Sequence, residues 1–246
     1  MPNWCNNKLT IKCATRAECD AVQALVRGNA DAFDFDRIVP MPKCLDIEAR
    51  GDADAALAAY CLKNGLSLPK AARCLHQRSL QDADEFLVSH CAEASKQDLA
   101  YGKVIYDNLV QTGFKTWYEW RCEKWGTKWN ADNSDVCVSL DGLEASYWFD
   151  TAWCAPIPVV EELSRKFPEA EMVMDSFYES WTCARSRFEG GECVGTSECE
   201  ARLLGDDGKV YESWSEVPED VIGEMVREDE VKDKLRQLRR LKGAAV

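Results

Sequence analysis

Apolar and polar side chains alternate through Leu9-Thr10-Ile11-Lys12-Cys13, the period-two signature of a half-buried strand. Thr15-Arg16-Ala17-Glu18 then forms a capping box, Val22, Leu25 and Val26 follow at helical spacing, and Gly28 is placed to close the helix. Phe33-Asp34-Phe35-Asp36-Arg37-Ile38 alternates again before Pro40-Met41-Pro42, whose prolines lack amide donors, which predicts a short edge strand or extended arm. From 52 to 112 the chain becomes rich in Ala and Leu, with helical patterns over 53–62, 82–94 and 99–109 that read as an insertion. Val136, Val138 and Leu140 alternate up to an Asp141-Gly142 turn, and Leu143, Ala145, Tyr147 and Phe149 alternate after it, so a hairpin is expected. A helix over 159–167 follows, with Glu161 and Glu162 in its first turn, Arg165 and Lys166 in its last, and Pro168 to end it. Strands are expected over 171–178 and 183–188, and a weaker hairpin at Gly205-Asp206-Asp207-Gly208. Pro218 opens a final helix, striped by Val231, Leu235 and Leu238, with Arg236, Arg239, Arg240 and Lys242 late.

Taken in order, the better-defined elements run β-α-β-β-α-β, the split βαβ topology. The fold class is therefore α+β: a ferredoxin-like antiparallel sheet with a large helical insertion and a C-terminal helix. Residues 1–30 supply the first strand and helix, 31–132 the extended arm, the insertion and a Trp-rich junction, 133–190 the rest of the core, and 191–246 a hairpin and the last helix. No internal repeat and no Gly/Ser- or Pro-rich linker interrupts this order.

Composition changes the picture at two places. Four of the nine tryptophans fall within residues 116–130, with Arg121, Lys124 and Lys128 interleaved. Two readings stay open there: Trp117, Trp120, Trp125 and Trp129 pin an irregular segment, with Gly126 supplying a special backbone angle and Thr127 or Asn130 capping a turn, or indole faces and cations line a binding groove. Trp4, Asn6 and Trp153 are candidates for the same site. The net charge of −13 opposes wholesale attraction to nucleic acid or anionic lipid. Between Glu161 and Glu200 ten acidic residues face four basic ones, and Glu161, Glu162, Glu169, Glu171, Asp175 and Glu179 are the candidate acidic surface.

Thirteen cysteines is an odd number without a Cys-x-x-Cys pair, which fits small buried apolar residues in a reducing compartment better than a disulfide framework. No apolar run approaches a membrane span and the N-terminus lacks a secretory signal, so a cytoplasmic protein is expected. Cys74, His76, His90 and Cys91 suggest a two-Cys, two-His zinc site, but their spacing fits no common zinc motif. His76 and His90 are also the only imidazoles available as a general base, and neither lies in a catalytic word. Gly-x-Gly-x-x-Gly, phosphate-loop, nucleophile-elbow and His-Glu-x-x-His motifs are absent. No catalytic residue, metal or cofactor is assigned, and the balance of the sequence leans away from an enzyme.

Several words occur together: Met1-Pro2-Asn3-Trp4-Cys5-Asn6-Asn7, Ile38-Val39-Pro40-Met41-Pro42, Trp117-Tyr118-Glu119-Trp120-Arg121, Trp125-Gly126-Thr127-Lys128-Trp129-Asn130-Ala131 and Phe149-Asp150-Thr151-Ala152-Trp153-Cys154-Ala155-Pro156. On these the chain resembles the YubB-type, Api-like family with a ferredoxin-like domain, carried by bacterial plasmids and phages, over Met1 to about Glu189. The chain departs from the family at Cys154-Ala155-Pro156, where members usually have a second proline after the tryptophan. The resemblance implies a ferredoxin-like fold and a mobile-element origin, in a family of unknown function; it implies no iron-sulfur cluster. The expected function is a non-enzymatic interaction protein that binds and inhibits a host defence component, of the restriction or CRISPR kind, through its acidic surface. The alternative is a single-stranded nucleic-acid binder that uses the sheet face or the Trp/Arg/Lys-rich stretch; the candidate ligand- or partner-binding residues are Trp4, Asn6, Trp120, Arg121, Trp125, Lys128, Trp129 and Trp153. Oligomeric state is not legible.

Overall fold

A computed structural model describes residues 3–67 and 94–244. The helical pattern over 82–93 and the Cys74, His76, His90 and Cys91 group lie outside the described residues. The chain divides into two compact units, residues 1–39 with 129–246, and residues 40–128.

The first unit is built on strands β1 (Trp4–Lys12), β2 (Asp132–Val138), β3 (Glu144–Ala152) and β4 (Glu171–Tyr178). They lie in the order β2-β3-β1-β4, antiparallel at every pairing, with helix α1 (Arg16–Val26) after the first strand and a second helix (Ile157–Lys166) between the third and fourth. This is the ferredoxin-like order, with a sheet one residue in two of which must face a core. Cys5, Leu9 and Ile11, Ala145, Tyr147 and Phe149, and Met172 and Met174 supply that face. Cys19, Val22 and Val26 of α1 and Val159, Val160 and Leu163 of the second helix are buried with them. Phe33 stacks on Phe149 at 4.9 Å, and Phe35 meets the same ring edge-on at 5.9 Å.

Residues 33–38 therefore depart from the expected strand. Phe35–Ile38 is a helical turn, α2, because Asp34 caps it by accepting from the Asp36 amide and the side chain of Asn130 accepts from the Phe35 amide at 2.8 Å. Both phenylalanines are buried on the same side of the sheet, which a strand's alternation would also have explained.

The sheet continues through β5 (Thr182–Glu189) and the long β6 (Glu192–Gly205), whose second half pairs with β7 (Val210–Tyr211) and with β8 (Gly223–Arg227). The weak hairpin at Gly205 is present. A helix from Pro218 is not: Gly223–Arg227 pairs with residues 201–205, and the C-terminal helix begins at Val231 and runs to Ala244. The Glu224-Met225-Val226 alternation fits an open sheet edge, and that pairing overrides the start signal at the proline.

In the second unit α3 (Ala53–Lys63) packs against α4 (Lys96–Thr112) through Ala53, Leu57, Cys61, Ile105 and Leu109. Gly102 makes the approach feasible, since a Cβ there would lie 2.0 Å from the Ala56 carbonyl oxygen. The Trp-rich stretch is regular in its first part and irregular in its second: Trp117–Lys124 forms helix α5, nucleated by a capping box in which Thr116 accepts from the backbone and Glu119 reaches back, and residues 125–129 follow as a turn and bends. The next helix in chain order, Ile157–Lys166, is α6, and Val231–Ala244 is α7.

Candidate interaction surface

One face of the sheet carries α1 and α6; alternation places the other side chains of the same strands on the opposite, open face. Along β1 these are Trp4, Asn6, Lys8, Thr10 and Lys12, registered against Ala152, Asp150, Trp148, Ser146 and Glu144 of β3. Near the middle, Lys8 lies over the ring of Trp148, Nζ 5.4 Å from its centroid, and this tryptophan remains 38% exposed. Asp150 accepts from Asn6 Nδ2 at 2.5 Å and from Asn133 Nδ2 at 3.0 Å, while Trp4 and Trp129 meet with ring centroids 6.1 Å apart. Asp132 and Asp135 of β2 and Glu171 of β4 complete a rim of exposed carboxylates. Asp175 is different: Arg185 clamps it through two bonds of 2.7 Å and also holds Glu230.

Beneath the Trp4 end lies a buried polar cluster. Asn7 Nδ2 donates to Thr151 Oγ1 at 2.9 Å and to the Cys5 carbonyl at 3.0 Å, and Ser176 donates to Asn7 Oδ1 at 2.8 Å. The Thr151 hydroxyl in turn donates to the Cys154 carbonyl at 2.8 Å. That bond holds the turn containing Trp153, whose amide donates to the Asn3 carbonyl and whose φ is +73°, a left-handed conformation costly for a bulky residue. Trp153 is 44% exposed there. Nothing in its own sequence position marked the turn as strained; the Asn7 and Thr151 pairing that enforces it spans 144 residues.

The predicted site residues separate between the two units. Trp4, Asn6, Trp129 and Trp153 belong to the first, at one end of the sheet. Trp120, Arg121, Trp125 and Lys128 belong to the second, where Trp120 and Trp125 are buried edge to face at 5.6 Å. Arg121 packs its guanidinium between Trp117 and Trp125, 5.1 and 4.8 Å from the ring centroids. These indoles are therefore largely core, and Gly126 has the positive φ (+77°) expected of it. Lys115, missed from the sequence, is buried and bridges Asp54 of α3 to Glu119 of α5 at 2.8 and 3.3 Å; a lysine one residue before a capping threonine gave no sign of this.

The candidate acidic residues do not share one surface. Glu161 accepts from the Cys193 amide, Glu162 pairs with Arg165 and Lys166, Glu169 lies in the turn before β4, and Glu179 accepts from the Trp4 amide. Only Glu171 and Asp175 lie on the open face. Trp148 and Lys8 escaped the sequence reading because a single exposed indole in an alternating strand looks like any outward residue.

Among the described residues no group of three or more His, Cys, Asp or Glu is placed to hold a metal ion, and no helix is long and apolar enough to cross a membrane. Eleven described cysteines are free; Cys5, Cys13, Cys19, Cys61 and Cys183 are buried and the other six are half-buried or exposed, so burial accounts for fewer of them than expected. Burial pushes the Cys5 and Cys183 thiols up to about 12, which makes them poor nucleophiles.

No curated protein matches the chain. It is similar to the crystal structure of the protein api92 from Yersinia pseudotuberculosis with a TM-score of 0.43 and 13% identity, over 80% of this chain and 98% of that one. Residues 124–203 match a family model, reaching beyond Glu189 and taking in Trp125, Trp129, Asp150 and Trp153, while Trp4 and Asn6 fall outside it. The family model is that of the ferredoxin-like domain in Api92-like protein, to which this stretch of the chain is similar.

Proposed function

We propose that this is a non-enzymatic binding protein that engages a basic protein partner through the open face of its ferredoxin-like sheet. The observation that carries this reading is Trp148, held by Lys8 yet more than a third exposed, inside a rim formed by Asp132, Asp135, Glu144, Asp150 and Glu171. An aromatic anchor surrounded by charge is the usual anatomy of a binding hot spot, and a carboxylate rim selects a cationic partner and speeds its encounter. In this reading the acidic contact lies on the sheet rather than on Glu161, Glu162, Glu169 and Glu179. The narrower reading is a phage- or plasmid-borne protein acting on a nucleic-acid-binding component of host defence. It draws on the family resemblance and on the basic surfaces that such components present to nucleic acid.

The test is capture of host proteins on immobilised wild type, Trp148→Ala, and an Asp132→Lys/Asp135→Lys/Glu144→Lys variant, followed by affinity measurement on whatever is enriched. Loss of a saturable partner from both variants supports the reading; a partner indifferent to both removes it. A second reading, single-stranded nucleic acid with a base stacked on Trp148, is favoured by the adjacent Lys8 and opposed by the acidic rim. Oligonucleotide affinity that drops in Trp148→Ala would decide for it.

A further inference from the structure

The C-terminal helix α7 reverses the charge of the chain. Six of the protein's 30 Lys and Arg residues lie in its fourteen positions, beside one of the 43 Asp and Glu residues. Lys232, Arg236, Arg239 and Arg240 recur at spacings of four, three and one, which puts them on one side of the helix, and all four are exposed. Arg236 pairs with Asp233 and Lys234 with Glu224, but Lys232, Arg239 and Arg240 have no acidic partner among the described residues. The carboxylates immediately before the helix are engaged elsewhere: Glu228 by Arg202, which also holds Glu200, Glu230 by Arg185, and Asp229 by Arg227.

The opposite side of the helix is occupied by the protein itself. Val231, Leu235 and Leu238 are half-buried, and Leu235 reaches the turn at Gly208, 3.9 Å from where a Cβ would stand. A helix that lies in a membrane needs its apolar side free, and here Leu241 is the large apolar residue left exposed. A second copy of this chain offers the carboxylates of its sheet rim, but these are few and irregularly placed on a pleated surface. A phosphodiester backbone, by contrast, presents fixed charges at regular intervals, and steps of four residues along the helix advance about 6 Å. The net charge of −13 opposes approach at long range, but screening within about 8 Å at physiological salt leaves contact to the local cations.

From this we infer that α7 is a sequence-independent nucleic-acid contact, with Lys232, Arg236, Arg239 and Arg240 set against backbone phosphates. It is separate from the Trp148 face and does not depend on it. The test is fluorescence anisotropy of the full chain with a labelled single strand and a labelled duplex of unrelated sequences, across a salt titration from 50 mM upward. Wild type is expected to bind both irrespective of sequence. An Arg236→Gln/Arg239→Gln/Arg240→Gln variant should lose at least tenfold in affinity, with a log–log salt slope shallower by about two to three. Arg236→Lys/Arg239→Lys/Arg240→Lys should bind nearly as wild type, which separates lost charge from lost helix. Absence of binding at 50 mM salt overturns the inference, as does equal binding by the Gln variant. It is equally overturned by binding confined to phosphatidylserine vesicles, or by arginine-dependent self-association in sedimentation without oligonucleotide binding.

Discussion

Asn7 of β1 and Thr151 of β3 are joined by a 2.9 Å hydrogen bond between buried side chains, amide nitrogen to hydroxyl. Through it the first strand dictates the turn beyond the third, since Thr151 holds the Cys154 carbonyl and Asn7 also accepts from Ser176 of β4. Asn7→Ala leaves the Thr151 and Ser176 hydroxyls buried with a lost partner and a small cavity between them. The expected cost is about 2–4 kcal/mol, read as a lower urea midpoint at unchanged m-value. A loss below about 1 kcal/mol would show the cluster to be replaceable.

Gly102 and Gly113 separate two reasons for glycine. Alanine at 102 would drive its Cβ into the Ala56 carbonyl and force α3 from α4, so a loss above roughly 2 kcal/mol is expected, with faster amide exchange across residues 53–63. Gly113 has φ +84° and open space around it, so Gly113→Ala should cost only about 1 kcal/mol, from backbone conformation. Equal costs would contradict this assignment.

Asp98 caps α4. Its carboxylate lies below the ordinary range because the Ser95 hydroxyl bonds it, with help from Arg50 and the Ser95 amide. A carboxylate depressed on folding stabilises above its unfolded value, near 4, and that contribution disappears as pH falls through the folded value. Melting temperature followed from pH 6 to pH 2 should therefore fall less steeply in Asp98→Asn than in wild type, the two curves converging in acid. Parallel curves would mean that this carboxylate contributes nothing.

Cysteine reactivity should follow burial. Cys137 and Cys154 are exposed, whereas Cys5, Cys13 and Cys183 are buried with thiols raised to about 12, chiefly by burial itself. Brief alkylation at pH 8 with mass-spectrometric mapping is expected to mark the first pair and to reach the other three only in denaturant. Native modification of Cys5 would imply that the strand end bearing Trp4 opens readily.

Trp148→Ala removes an indole that is more than a third exposed and lies under the Lys8 ammonium, so its stability cost should be about 1 kcal/mol. Any larger drop in unfolding free energy would mark Trp148 as structural and weaken the binding face.

Local pattern carried much of the core fold. The alternation at Leu9 and Ile11, the Asp141-Gly142 turn and the proline-bounded helix before β4 each act over a few residues, and their order alone sufficed for the βαββαβ topology. Errors arose where a distant partner competes with local preference. Asn130 caps Phe35–Ile38 from 95 positions away and turns an alternating segment into a helix; β6 captures Gly223–Arg227 from an expected helix. At residues 116–119 no distant partner is involved: the Thr116 and Glu119 capping box that starts α5 lies wholly within the local sequence.

By itself, then, the sequence determined strand order, the helices with complete caps and the reversal of charge in the last helix, since periodicity, capping and charge are properties of neighbours along the chain. Only the tertiary structure decided which tryptophans are core and which face outward, that Asp175 is spent on Arg185, and that Lys8 and Trp148 meet at the centre of an open face. Lys8 and Trp148 meet through a cross-strand register between residues more than a hundred positions apart, Asp175 and Arg185 through the pairing of β4 with β5, and Trp120 and Trp125 are buried by packing within the second unit, none of which local pattern specifies.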